Sequence, residues 1–294
     1  MKPEISVIIP CYNTAATIGL QLQALAVQQW TGPWEIIVSD NGSTDESLAV
    51  VKRYESRFSS LRIVNASDRR GAAYARNVAA KAARGEALLF CDADDEVAPG
   101  WLVAMGEALA HYDFVGGPLD VEKLNPAWLV KALGCPGKGG LTRLPFRPDM
   151  YIASGCCLGV KRAVHESVGG FNESWQFLEE ADYCIRVQLT GVPLKFVPEA
   201  VVYYRRPHSA LAIYRRAYNW ATYGVRLYKL YGRNGSSDRG MWRWYLEEWI
   251  RLLMSLPSVR SKVGRAMLSK NFGRQVGRLR GSLRYGVPPG VSFP

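Results

Sequence analysis

Short apolar runs and helical apolar stripes alternate along the first hundred residues. Ile5-Ser6-Val7-Ile8-Ile9 is β-branched and meets Pro10, which predicts a strand stopping there. From Thr14 to Trp30, the side chains Ile18, Leu22, Leu25 and Gln29 recur at helical spacing. Glu35-Ile36-Ile37-Val38-Ser39 predicts a second strand with Asp40 at its end. Asn41-Gly42-Ser43-Thr44-Asp45 reads as a turn capping a helix that runs to about Arg57. Leu61-Arg62-Ile63-Val64 predicts a third strand. Gly71 to Arg84 is Ala-rich and helical, with Gly85 as its stop. Ala87-Leu88-Leu89-Phe90-Cys91 predicts a fourth strand. This alternation predicts an α/β fold with a mostly parallel sheet flanked by helices. Ligands of such sheets bind at the carboxyl ends of the strands. Pro10-Cys11-Tyr12-Asn13, Asp40 and Asp92-Ala93-Asp94-Asp95 all fall at such ends.

The cluster after the fourth strand carries the chemistry. Close carboxylates repel one another, so they are stable as a group when a cation or a hydroxyl sits between them. Hard oxygen ligands suit Mg²⁺ or Mn²⁺ bridging a substrate diphosphate. A solvated acidic turn is the plain alternative; it accounts for one Asp-x-Asp but not for three polar groups on one rim. A second acidic group, Glu179-Glu180-Ala181-Asp182, follows Gly169-Gly170-Phe171-Asn172-Glu173 and Trp175. Acids at a helix start are favoured by the helix dipole alone, which explains one of the three better than all of them. Tyr12 and Asn13 also have plainer readings, a core aromatic with its hydroxyl in solvent and a turn residue before a helix. Arg76 reads either as a diphosphate neighbour or as a stem covering a helix face.

Taken in order, Ser6-Val7-Ile8-Ile9-Pro10-Cys11-Tyr12-Asn13, Asp40 to Asp45, Gly71 with Ala75-Arg76-Asn77, Gly85-Glu86 and Asp92-Ala93-Asp94-Asp95 resemble family 2 of the inverting, GT-A-fold glycosyltransferases. The resemblance covers about Ile5 to Tyr204. It implies a GT-A-like, Rossmann-type mixed sheet, a nucleotide-diphosphate-sugar donor, probed first as UDP- or dTDP-linked, and a divalent metal, Mg²⁺ or Mn²⁺. It carries nucleotide contacts to Pro10, Tyr12, Asn13 and Asp40, with Asp40 bonding the base. Asp92, followed by Ala93, takes the ribose and shares the metal, and Asp94 holds the metal. It also implies a catalytic base at Glu180, where relatives have Asp, with Glu179 and Asp182 as competitors. A general base there would accept the acceptor hydroxyl's proton. In many relatives a His completes the metal site; here Tyr204 stands in its place, and His208, four residues on, is a substitute only if the loop folds back. Arg205 or Arg206 then offers charge to the leaving diphosphate. Cys156-Cys157 falls where relatives line the sugar and acceptor site. Glu180 and Tyr204 keep open a competing class, a non-catalytic nucleotide or glycan-binding module.

Charge changes the picture beyond residue 204. Residues 1–199 carry 19 Lys and Arg against 23 Asp and Glu, while residues 200–294 carry 18 against 3, within a net charge of +11. From Trp249 to Pro294 there is no acidic residue. Ser209 to Tyr231 places Leu211, Tyr214, Tyr218, Ala221, Val225 and Tyr228 on one helical face. Met241 to Leu256 does the same with Trp242, Tyr245, Leu246, Trp249, Leu252, Leu253 and Leu256. Three readings compete: an anionic membrane surface, packing on the core or a homodimer interface, and nucleic acid. No helix-turn-helix, zinc or ribonucleoprotein signature supports the last. Ser282 to Pro294 is expected to be a loose tail.

The expected organisation is therefore a catalytic domain over 1–204 and a basic, aromatic-rich helical region over 205–294. The six cysteines lack zinc spacing and are expected to be reduced thiols of a cytoplasmic protein. Lys2-Pro3-Glu4 leads straight into the first strand, so no secretory leader is expected. No run reaches the roughly 18 apolar residues of a membrane span. The expected location is cytoplasmic, peripheral on the inner membrane face, with a glycan or lipid-linked acceptor.

Overall fold

The computed structural model describes residues 4–135, 140–232 and 238–290. The Lys2-Pro3 entry and residues 291–294 of the expected tail lie outside the described residues. The elements in chain order are β1 (Ile5–Cys11), α1 (Ile18–Ala26), β2 (Trp34–Asp40), α2 (Ser47–Lys52), β3 (Leu61–Asn65), α3 (Ala72–Ala82), β4 (Ala87–Phe90) and β5 (Glu96–Val97). Next come α4 (Trp101–His111), β6 (Phe114–Gly116), β7 (Leu119–Asp120), α5 (Ala127–Leu133), β8 (Thr142–Leu144), β9 (Arg147–Ile152), β10 (Leu158–Lys161) and α6 (Arg162–Ser167). The chain ends with α7 (Glu179–Leu189), β11 (Lys195–Phe196), β12 (Val202–Tyr203), α8 (Ala210–Tyr231), α9 (Asp238–Met254) and α10 (Lys262–Tyr285).

The main sheet has seven strands in the order β11-β6-β10-β4-β1-β2-β3. All its pairings are parallel except those of β10, which runs antiparallel to both β4 and β6. Val7, Ile8, Ile37, Val38, Leu88 and Phe90 are fully buried. Burial on both faces is why these strands are continuous apolar runs rather than alternating ones. A smaller three-stranded sheet has the order β5-β12-β7.

Several boundaries differ from expectation. β1 does not stop at Pro10 but continues to Cys11, paired with β2 up to Cys11 opposite Asp40. Its pairing with β4 ends at Ile8, so beyond that point one edge of β1 has no ladder for a missing N–H to break. α1 ends at Ala26, and Gln29 is exposed. Gln28 leaves the helix to bond Ala98 O at 2.9 Å and accept from Leu102 N at 3.1 Å. The helix expected to reach Arg57 ends at Lys52, with one 3₁₀ turn at Glu55–Arg57. Gly85 is required by contact: a Cβ there would lie 2.6 Å from Ser6 N.

The described residues form two compact units, one within 4–123, 140–142 and 151–205, the other within 124–135, 143–150, 206–232 and 238–290. In the second unit Ser209 caps α8 by accepting from Ala212 N, and Ser261 caps α10 by accepting from Gly264 N. α10 packs along α8 through Gly273, Gly277 and Gly281, where any Cβ would strike the backbone of Tyr214, Tyr218 or Thr222. The Thr222 hydroxyl donates to Gly277 O at 3.1 Å across this seam. Three expectations are met only in part here. The tail is not loose from Ser282, because α10 runs to Tyr285. On α8 the buried positions are Ile213, Ala221, Thr222, Tyr223, Gly224, Val225 and Leu227; of the expected face Ala221 and Val225 are buried, Tyr214, Tyr218 and Tyr228 are half-buried and Leu211 is exposed. On α9 the expected single face is split, with Tyr245 and Leu252 inward and Trp242, Leu246 and Leu253 outward.

Candidate active site

The loops after β4, β1 and β2, neighbours in the sheet, open on one rim. Asn41 ties that rim together. Its backbone N–H donates to Cys11 O at 2.8 Å, and its side-chain amide donates to Ala66 O and Arg69 O at 2.5 and 2.6 Å. Its Oδ1 accepts from Gly71 N at 2.9 Å, just ahead of α3. The ends of β1, β2 and β3 and the start of α3 are thus fixed by one buried amide.

A cleft of about 540 Å³ lies at this rim. Pro10, Tyr12, Arg76, Asp92, Ala93, Asp94 and Glu179 line it, as does Arg70. Arg70, which the sequence reading missed, sets its guanidinium 4.3 Å from the centroid of the half-exposed Tyr12 ring and donates to Gly42 O at 3.0 Å. The only signal for it was a cation directly before the Gly71 helix start. Asn13 and Asp40 do not line the cleft. Asn13 takes a left-handed conformation, φ 50°, and its Oδ1 accepts from Thr44 N at 2.8 Å. Asp40 is buried and accepts from Ser43 N at 3.0 Å. Both shape the loop that frames the cleft.

Arg76 joins the two acidic motifs. Its guanidinium is 3% exposed and donates to Asp92 Oδ1 and to Glu179 Oε1, each at 2.7 Å. Burial pulls its pKa down, but the two carboxylates outweigh that and hold it above the ordinary arginine value. Gly155 permits the approach, since a Cβ there would sit 3.1 Å from Arg76 Nη2 and 3.3 Å from Glu180 Cβ.

Leu178, left-handed at φ 61°, turns the chain into α7 and aims its first residues at this point. Asp182 is fully buried and bound at 2.8 Å to Arg186, which also donates to Val168 O and Gly170 O. That anchors α7 to the glycine turn. Asn77 adds a second tie from α3, donating to Phe171 O at 2.8 Å and accepting from Phe171 N at 2.9 Å. Beneath them Phe171 stacks on Tyr183 at 4.3 Å, and the Tyr183 hydroxyl meets His165 Nδ1 at 3.0 Å. Burial, with Arg162 and Arg186 nearby, pushes His165 down to about 4, so it is neutral there.

Glu180 differs from its neighbours. Among the described residues it has no ion pair, whereas Glu179 is held by Arg76 and Asp182 by Arg186. Burial first, and then the Glu179 charge, push its carboxyl up to about 8, with Asp92 adding to the rise and Arg76 opposing it.

The carboxylate set fits a hard divalent cation. Ligand atoms of Asp92, Asp95 and Cys156 lie within 4.8 Å of one another. Asp95 is 1% exposed; Oδ1 accepts from Arg205 N at 2.7 Å, while Oδ2 finds no hydrogen-bond donor in good geometry among the described residues. Burial, then the Asp94 and Asp92 charges, push its carboxyl well up, a strain that a cation relieves. Cys156 is a poor member of such a set, because burial holds its soft sulfur as a thiol. Asp94 lines the cleft beside this group without being part of it; His208 is exposed, lies in the second unit and is not part of it either. Arg205 donates through Nε to Asp94 O at 3.0 Å; the Arg206 backbone N–H goes to Asn125 Oδ1 at 2.9 Å.

Comparisons with known proteins bear on the fold and the family. The chain is 34% identical over 131 residues to the uncharacterized glycosyltransferase YibD of Escherichia coli K12, covering 45% of this chain and 36% of that protein. It is 27% identical over 188 residues to a PGL/p-HBAD biosynthesis glycosyltransferase of Mycobacterium bovis BCG, covering 63% and 69%. The match spans well under two thirds of YibD and only 25% of y4gI from Sinorhizobium fredii. Among solved structures, the mannosyltransferase PcManGT from Pyrobaculum calidifontis, in complex with GDP-Man and Mn²⁺, aligns with a TM-score of 0.62 at 20% identity, over 99% of this chain and 78% of that one. Staphylococcus aureus TarS 1–349 in complex with UDP aligns with a TM-score of 0.53 at 20% identity, over 97% and 92%. These likenesses establish the fold as GT-A. The model of glycosyl transferase family 2 matches residues 6–169, more than half of the sequence, and the chain belongs to that family.

Proposed function

We propose that the chain transfers a sugar from a nucleotide-diphosphate donor to a hydroxyl acceptor with inversion at the anomeric carbon. The observation that carries this reading is the Arg76 bridge, which holds the strand-end acid Asp92 and the helix-start acid Glu179 on one cleft and sets Glu180 beside them. Pro10 and Tyr12 face the base, while Asp40 and Asn13 fix the loop that frames the cleft. Asp92 and Asp94 would hold Mg²⁺ or Mn²⁺, which when bound neutralises the charge developing on the leaving diphosphate. Glu180 accepts the proton as the acceptor oxygen bonds to the anomeric carbon and the bond to the diphosphate oxygen breaks. Desolvation suits it to this role, because a base with a raised pKa takes a proton more readily. A lipid-linked or surface-polysaccharide precursor is the acceptor class that fits the cationic C-terminal region.

The test is a thermal-shift panel of UDP-, dTDP- and GDP-sugars on the full chain, with and without Mn²⁺, followed by turnover of any stabilising donor. Stabilisation by one nucleotide base, enhanced by Mn²⁺ and followed by turnover, is the expected outcome. A flat response to every donor, with no turnover, rejects the reading.

A further inference from the structure

α9 is apolar on two faces, and only one of them is used in folding. Met241, Tyr245 and Leu252 are buried, whereas Trp242, Leu246, Ile250, Leu253 and Met254 are exposed, Leu253 to 59% and Met254 to 76%. Their spacing makes one stripe down the helix. The stripe does not end with the helix. A 3₁₀ turn, Leu256–Arg260, links α9 to α10 and leaves Leu256 and Val259 exposed as well. Met267 continues it on α10. A sequence-contiguous tip, residues 250–267, therefore presents Ile250, Leu253, Met254, Leu256, Val259 and Met267 to solvent.

The charges around this tip have one sign. Arg251, Arg260, Lys262 and Arg265 are exposed among the apolar side chains. Arg251 pairs with Glu248, and no acidic residue follows Glu248 in the chain. Large exposed apolar patches on proteins mark interaction sites, and the charge pattern selects the occupant. A second copy of the same tip would set like charges against one another across a desolvated contact. A nucleic acid would satisfy the cations but gain nothing from six exposed aliphatic side chains. A bilayer surface with acidic headgroups takes both: the apolar side chains enter the headgroup and acyl boundary, and the cations stay at the phosphates. No helix among the described residues is long and apolar enough to cross a membrane, so the contact is interfacial.

We propose that the α9–α10 tip, residues 250–267, docks this protein on an anionic lipid surface. The proposal is independent of the catalytic reading, since its test needs no donor. Full-length protein is sedimented with vesicles of phosphatidylcholine alone and of phosphatidylcholine mixed with phosphatidylglycerol, across a salt series. Binding is expected to be stronger to the anionic vesicles and to fall as salt rises, because exposed charges are screened within roughly 8–10 Å near physiological ionic strength. Arg260→Gln, Lys262→Gln and Arg265→Gln together should abolish the anionic preference, at about fivefold in partition per charge. Leu253→Ser, Met254→Ser and Leu256→Ser together should abolish binding to both vesicle types. All six side chains are exposed, so melting temperatures should stay near the parent value. Should a variant melt early, quenching of native tryptophan fluorescence by bromine-labelled lipid, lessened in Trp242→Phe, decides the matter instead. Equal binding to neutral and anionic vesicles, or unchanged binding of the Leu253/Met254/Leu256 variant, overturns the proposal. So does a dimer in sedimentation equilibrium that this variant dissolves while vesicles go unbound, which would make the tip an interface between copies.

Discussion

Arg76 Nη1 donates to Glu179 Oε1 at 2.7 Å, across 103 residues of sequence. Its other terminal nitrogen holds Asp92. The two acidic motifs are therefore one electrostatic unit, with the cation between them nearly inaccessible to water.

Removing that cation should leave two carboxylates facing each other without neutralisation. Breaking a buried ion pair from one side costs on the order of 3–5 kcal/mol, with the low end expected because Asp92 is partly exposed. Arg76→Ala should accordingly lower the melting temperature clearly. Arg76→Lys should recover part of the stability but not the bridge, since one ammonium lacks the guanidinium's fork. A parent-like melting curve for Arg76→Ala would show that the bridge does not hold the site together.

Asp94 and its neighbours lead to a metal prediction. Asp94→Asn, or chelation of divalent ions, should abolish transfer and weaken donor binding, read by turnover and by the donor-induced thermal shift. Full turnover in excess chelator would remove the metal from the proposal.

What the sequence made legible follows from which forces are local. Val7 to Ile9, Ile36 to Val38 and Leu88 to Phe90 are buried on both faces, so each strand was visible as an apolar run. α10 was not, because its packed side is glycine: Gly273, Gly277 and Gly281 let α8 approach without leaving an apolar stripe to read. The rim residues were legible as types, not as contacts. Nothing local says that Asn13 would brace Thr44 or that Arg70 would lie against Tyr12, whereas the Asp182–Arg186 pair, four residues apart on one helix, was open to a reading of spacing. On α9, periodicity found the apolar residues but could not tell the side that packs from the side that does not, since both are apolar.

The glycine seam gives a prediction about stability alone. Gly277→Ala would drive a methyl group into the Tyr218 backbone, and backbone cannot move aside as a flexible side chain can. Overpacking of this kind costs about 1–3 kcal/mol. Denaturant unfolding of the full chain should show a loss of that size, against no comparable loss for Gly286→Asn, whose left-handed position at φ 66° has nothing within 4 Å. Equal effects at the two sites would mean that the seam is looser than described.

The pH dependence of Glu180 tests the assignment of the base and carries two signs. A base works deprotonated, so with the Glu180 carboxyl raised to about 8, kcat/KM should climb with pH toward a midpoint near there. Glu180→Gln should lower turnover by about 10²–10⁴ and remove that limb. Stability runs the other way. A carboxyl whose folded pKa is raised binds its proton more tightly when folded, so its contribution is fully present below the ordinary carboxylate range. It is lost as pH rises through about 8. Relative to the parent, Glu180→Gln should therefore be more stable at pH 9 than at pH 4, while being nearly inactive throughout. If Glu179→Gln removed the limb instead, with Glu180→Gln near normal, the base would be the residue that Arg76 holds. A limb that survives both substitutions would belong to another group altogether.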